Sequence, residues 1–135
     1  MVIDTSAVIA ILFGEVDAER FAKAIDIDPT RLMSAASVLE ACFVVEHELG
    51  EQGGRELDLL LLKAGVETVA FNEEQGQVAR HAFHEYGKGR HPAGLNFGDC
   101  FSYALSRTSG EPLLFKGDDF GKTDVSISGG PFSVS

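Results

Sequence analysis

Apolar positions along the chain switch between two spacings. Met1-Val2-Ile3 is a short β-like run that stops at Asp4-Thr5-Ser6, and the apolar stretch Ala7 to Phe13 predicts a buried helix closed by Gly14. Ala18, Phe21, Ala22 and Ile25 fall on one helical face that Pro29 terminates. Arg31 to Met33 is a short second strand candidate. Val38, Cys42, Val45 and Leu49 stripe a helix over Ser37 to Leu49. Gly53-Gly54 then predicts a break before a helix over Arg55 to Ala64, with Leu57, Leu60 and Leu61 on one side. Val66 to Phe71 alternates as a strand does. A helix over Glu74 to Tyr86 turns Val78, Ala79, Ala82, Phe83 and Tyr86 inward, and glycines and Pro92 make Tyr86 to Phe97 a loop. A helix over Gly98 to Ser109, a strand at Leu113 to Phe115 and a β-like tail after Asp124, broken at Gly129-Gly130-Pro131, complete the pattern. Strands separated by helices predict an α/β fold with a mostly parallel sheet.

A length of 135 residues matches one domain, residues 1–135, and ten Phe with 44% apolar residues supply a core. Cys42 and Cys100 are the only cysteines, too few for a disulfide scaffold or a four-thiolate zinc site. Ala7 to Phe13, the longest apolar run, is far shorter than the ~20 residues that span a bilayer. No basic leader precedes it, so the expectation is a cytoplasmic protein with no membrane partner. The net charge of −10 argues against broad, tight nucleic-acid binding and suits a metal, a basic partner or plain solubility.

Acidic side chains recur where strands meet helices. Asp4 ends the first strand, Glu40 lies early in its helix, Asp99 follows Gly98 at a helix start, and Asp118-Asp119 follow the strand at Leu113. Ligands of open parallel sheets bind at the carboxyl ends of the strands. Carboxylates gathered there repel unless a cation joins them, and Mg²⁺ and Mn²⁺ take oxygen ligands. Each acid also has a purely structural explanation. Ser37 to Glu40 matches a capping box, Asp99 suits the helix dipole, Asp4 suits an N-cap, and Asp118-Asp119 suits a turn. Spacing alone leaves both readings open.

Four blocks in order carry a resemblance: M-V-I-D-T-S-A at Met1 to Ala7, A-S-V-L-E at Ala36 to Glu40, N-F-G-D-C-F-S-Y-A-L at Asn96 to Leu105, and L-L-F-K-G-D-D-F from Leu113 to Phe120, with Thr123-Asp124 beyond. Together they resemble the PIN-domain ribonucleases, specifically the VapC-like toxins of type II toxin–antitoxin modules. The resemblance implies a three-layer α/β/α sandwich around a five-stranded, mostly parallel sheet. It also implies Mg²⁺- or Mn²⁺-dependent endonucleolytic cleavage of RNA by an activated water, a homodimer, and a cognate antitoxin as inhibitor. Residue by residue it implies Asp4, Glu40 and Asp99 as the first three metal-binding acids and Asp119 as the fourth, with Asp118 as the fallback. Thr5 and Ser6 match hydroxyl positions that orient the first acid or a water. Asn96 matches the motif as well, or simply caps the helix of Asp99.

Rival chemistry also fits an acid after the first strand with a later lysine, here Lys116, as in receiver domains and haloacid-dehalogenase-like phosphatases. Against it, receivers want paired acids near that strand, and the phosphatases want Asp where Ser6 stands. A non-catalytic binding module whose acids are caps is the third reading. His81 and His84 fall on the polar side of their helix, and His47 on the surface of its own. The cysteines sit in core patterns, and the leucine run Leu59 to Leu62 is either buried or an oligomer surface. Gly87 to Gly98 lacks acids, so Lys88 and Arg90 are candidate RNA phosphate contacts in an otherwise acidic chain.

Overall fold

In the computed structural model, which describes residues 1–128, the chain alternates between short strands and helices. The strands are β1 (Val2–Ile3), β2 (Leu32–Ser34), β3 (Glu67–Val69) and β4 (Leu113–Leu114). The helices are α1 (Thr5–Leu12), α2 (Ala18–Ile27), α3 (Ala35–Leu49), α4 (Glu51–Lys63), α5 (Glu73–Tyr86) and α6 (Phe97–Ser109), followed by a 3₁₀ turn at Phe120–Lys122. The sheet is parallel throughout, ordered β3-β2-β1-β4, with Val2 opposite both Leu32 and Leu113. Alternation along such short strands sends neighbouring residues to opposite faces. Met1, Ile3, Met33 and Leu114 join a core with α1 to α4, while Val2, Leu113 and Phe115 join a second core with α5 and α6. Two cores on one sheet make the three-layer α/β/α sandwich.

Several boundaries differ from expectation, each for a local reason. The described residues form four strands, not five. Thr123 is still held in the turn, its N–H donating to the Phe120 carbonyl at 3.0 Å, so the tail reaches the sheet edge late. It pairs there as a single bridge, Leu113 to Ile127. The Gly129-Gly130-Pro131 break lies outside the described residues. Helix α3 starts at Ala35 because the Ser34 hydroxyl accepts the Ala36 N–H. Gly53-Gly54 lies inside α4 rather than before it. The turn is made at Gly50, at φ 68°, and a Cβ on Gly53 would stand 2.5 Å from the Val45 carbonyl oxygen. Those glycines let α4 press against α3. Ala22 faces solvent, so the inner face of α2 runs through Phe21, Ala24 and Ile25. Leu57 is buried and Leu60 and Leu61 pack on the core, whereas Leu59 and Leu62 are exposed. Among the described residues no helix is long and apolar enough to cross a membrane.

Candidate active site

After β3 the chain returns to pair β4 on the far side of β1, so the order of the sheet reverses between β1 and β4. In open α/β sheets the crevice for ligands lies at such a reversal, outside the carboxyl ends of the strands. Asp4 stands at the end of β1, only 5% exposed. It is the N-cap of α1: Oδ2 accepts the Ser6 N–H at 3.0 Å and the Ser6 hydroxyl at 2.7 Å. Oδ1 accepts the Ser102 hydroxyl at 2.5 Å. Ser6 is itself fixed, because its Oγ accepts the Lys116 N–H at 2.9 Å.

Glu40 projects from the second turn of α3, too far along to close a capping box with Ser34 at the N-cap. It is half-buried, and burial raises its carboxyl above the ordinary range, with the Asp4 charge adding to the rise and the Thr5 hydroxyl opposing it. The Thr5 hydroxyl proton goes to the Ser37 carbonyl at 3.1 Å, tying α1 to α3. Asp99 and Asn96 form a reciprocal capping box at the start of α6. Asp99 N–H donates to Asn96 Oδ1 at 2.9 Å, and Asn96 N–H donates to Asp99 Oδ2 at 3.0 Å. Burial pushes the Asp99 carboxyl up to about 6; the Asn96 N–H pulls it down, and the charges of Asp4, Asp119 and Glu40 push it further up. Asp119 therefore belongs to this electrostatic group. Asp118, equally exposed, is not among the charges acting on Asp99.

The acids thus feel one another, yet among the described residues they do not close into a ready-made cage of three or more ligands. Their donor set is nonetheless suited to a hard divalent ion. It offers carboxylate oxygens only, Asp4 and Asp99 each keep acceptor capacity on Oδ1, and among the described residues no lysine or arginine pairs with any of the four. Lys116, the lysine that made phosphotransfer attractive, turns away to Glu15 at 2.6 Å. Two contributors escaped the sequence reading. One is Ser102, whose position in N-F-G-D-C-F-S, three residues beyond Asp99, was the available signal. The other is Gly98, where a Cβ would overlap the Glu40 carboxylate.

The remaining candidates lie elsewhere. Lys88 and Arg90 are exposed, and neither is among the groups whose charge reaches Glu40 or Asp99. The Arg90 guanidinium instead lies 5.5 Å over the Phe83 ring. His47, His81 and His84 are exposed, Cys42 is half-buried and Cys100 is buried. Two apolar grooves of about 630 and 370 Å³ share Phe97 and Phe101, and the smaller is lined by Glu40 as well.

A parallel sheet whose order reverses between β1 and β4, with the charges of Asp4, Glu40 and Asp119 all reaching Asp99, defines an α/β protein with a coupled group of carboxylates. Residues 1–126 match the model of the PIN domain, and the chain belongs to that family. Within it the chain is VapC-like. It is 59% identical over 125 residues to VapC ribonuclease Mb0640 of Mycobacterium bovis, covering 93% of this chain and 95% of that protein. It is equally 59% identical to Ribonuclease VapC of Mycolicibacterium smegmatis, with 93% and 97% covered. Among solved structures it resembles Mycobacterium tuberculosis VapC20, described as a sarcin–ricin loop cleaving toxin, with a TM-score of 0.75, 16% identity, and 92% and 95% of the two chains covered. A toxin–antitoxin complex from Klebsiella pneumoniae aligns at a TM-score of 0.66 and 17% identity, covering 99% and 94%.

Proposed function

We propose that this chain is a toxin endoribonuclease of a type II toxin–antitoxin module, hydrolysing RNA phosphodiester bonds with Mg²⁺ or Mn²⁺ held by Asp4, Glu40, Asp99 and Asp119. The observation that carries this reading is the mutual field of the four acids at the sheet's order reversal, with no cation of the described residues to neutralise it. A bound divalent ion supplies phosphoryl polarisation and a water of lowered pKa. Asp4 and Asp99 would offer it their Oδ1 atoms, since each Oδ2 is engaged at a helix cap. Glu40, with its raised affinity for a proton, is suited to orient the attacking water and accept its proton. Asp119, exposed on the β4 loop, would complete the set as substrate arrives.

The toxin–antitoxin complex among the structural neighbours supports an antitoxin partner. An acidic groove in a chain of net charge −10 suits an inhibitor that inserts a basic side chain. The exposed aromatic face around Phe97 supports the homodimer, because a contiguous apolar patch of this kind is what an isologous interface covers. Purified protein incubated with cellular RNA should cleave it with Mg²⁺ or Mn²⁺ and not with EDTA, leaving 5′-phosphate ends that sequencing identifies. Cleavage that persists in EDTA, or in Asp99→Asn, would overturn the reading.

A further inference from the structure

Ser102 lies in the middle of α6, fully buried, three residues and one turn beyond Asp99. A serine or threonine inside a helix ordinarily satisfies its hydroxyl on a carbonyl of the preceding turn. Thr108 of the same helix does so, donating to the Ala104 carbonyl at 2.9 Å. Ser102 instead crosses to the end of β1 and donates to Asp4 Oδ1 at 2.5 Å. An ionised carboxylate only accepts, so the direction of this bond is fixed. Ser102 has no second proton to give, so in its 3.3 Å contact with Ser37 the buried Ser37 hydroxyl is the donor. A one-way chain therefore runs from Ser37 through Ser102 to Asp4.

The acceptor count on Asp4 gives the chain its meaning. Each carboxylate oxygen offers two lone-pair sites. Both on Oδ2 are taken by Ser6, and Ser102 takes one on Oδ1. A single acceptor site remains. We infer that Ser102 is a positioning residue for metal binding: it holds the Asp4 carboxylate so that only this Oδ1 site faces the crevice, and it ties the spacing of Asp4 to that of Asp99 through one helix. This rests on the metal-dependent reading proposed above and names a residue which that reading does not use.

The test is Mn²⁺ binding to the purified full chain, followed by electron paramagnetic resonance of the free ion and by calorimetry, with no RNA present. Ser102→Ala removes the donor, and Ser102→Cys keeps the volume with a much weaker donor. Both should bind Mn²⁺ about 10- to 100-fold more weakly than wild type. Ser102→Thr, which restores a hydroxyl, should recover most of the affinity. Circular dichroism melts in EDTA verify folding, and Ser102→Cys keeps the test decisive if the alanine variant does not fold. Wild-type affinity in Ser102→Ala and Ser102→Cys, beside lost binding in Asp4→Asn, would overturn the role of Ser102 alone. A wild-type chain that binds no Mn²⁺ would overturn the metal reading and this inference with it.

Discussion

Neutralising Asp99 should abolish cleavage and stabilise the metal-free fold. A carboxyl that titrates near about 6 in the folded chain, against 3.8 unperturbed, opposes ionisation on folding by up to ~3 kcal/mol. Solvent reaches the half-buried side chain, and screening brings the cost to ~1–2 kcal/mol. Because the folded pKa is raised, the favourable contribution is complete below about pH 4 and is lost as the pH climbs through 6. At pH 7.5 the wild type therefore carries the whole cost. Asp99→Asn carries none of it, and its amide oxygen can still accept the Asn96 N–H. Melts in EDTA at pH 7.5 should place the variant ~3–8 °C above wild type, and the gap should close as the pH falls to 4. Added Mn²⁺ should raise the wild-type melting temperature and leave the variant's unchanged. If Asp99 were only a cap, its loss would lower stability by ~0.5–2 kcal/mol. A variant that melts below wild type at pH 7.5, or a gap indifferent to pH, would refute the reasoning.

Gly98→Ala should displace the flexible end of Glu40 and lower RNA cleavage at least tenfold, while the melting temperature holds or rises because alanine favours the helix by up to ~1 kcal/mol; a fully active variant would separate Glu40 from the chemistry. Phe97→Glu, at a position 80% exposed between the two apolar grooves, should sediment as a folded monomer, and the wild type at the same concentration as the proposed dimer. The double replacement of Lys88 and Arg90 by Ala should raise KM for RNA and flatten its salt dependence by up to about two phosphate contacts, with Mn²⁺ affinity intact; an unchanged salt slope would leave this loop a structural role only.

Much of the fold was legible because each element is short and its ends are chemically marked. Asp4 and Asn96 stand at the starts of α1 and α6, and Gly50 and Gly110 at the ends of α3 and α6. The start of α3 was displaced because two serines, Ser34 and Ser37, compete for the cap, and only the one at the end of β2 has extended backbone. The glycine pair misled because a local rule reads glycine as a break, whereas here it answers a helix 50-odd positions into the chain folding back on its predecessor. Among the described residues the fifth strand is one bridge, because the turn before it uses up the preceding residues. Of the site, Asp4, Glu40, Asp99 and Asp119 and their repulsion on convergence were expected from the sequence, but which charges reach which carboxyl was not, since that is a property of the fold. Ser102 stood within the N-F-G-D-C-F-S block, but its partner was not legible: nothing in a helical pattern distinguishes a serine that bonds its own helix from one that bonds a neighbouring strand.

The structural and functional explanations of the acids turn out not to compete. A carboxylate has two oxygens, and at both Asp4 and Asp99 the chain spends Oδ2 on a helix cap. The cap restricts the side chain's rotation, so less freedom remains to be lost when a ligand binds. The helix amino end contributes partial positive charge, which softens the repulsion between like carboxylates gathered around one crevice. Oδ1 at each position stays outside the cap, with acceptor capacity left for a ligand. An uncapped acid at either position would be free to turn into water and away from its neighbours. Helix capping therefore helps a chain with a net charge of −10 to hold these acids near one another, as the proposed metal site requires.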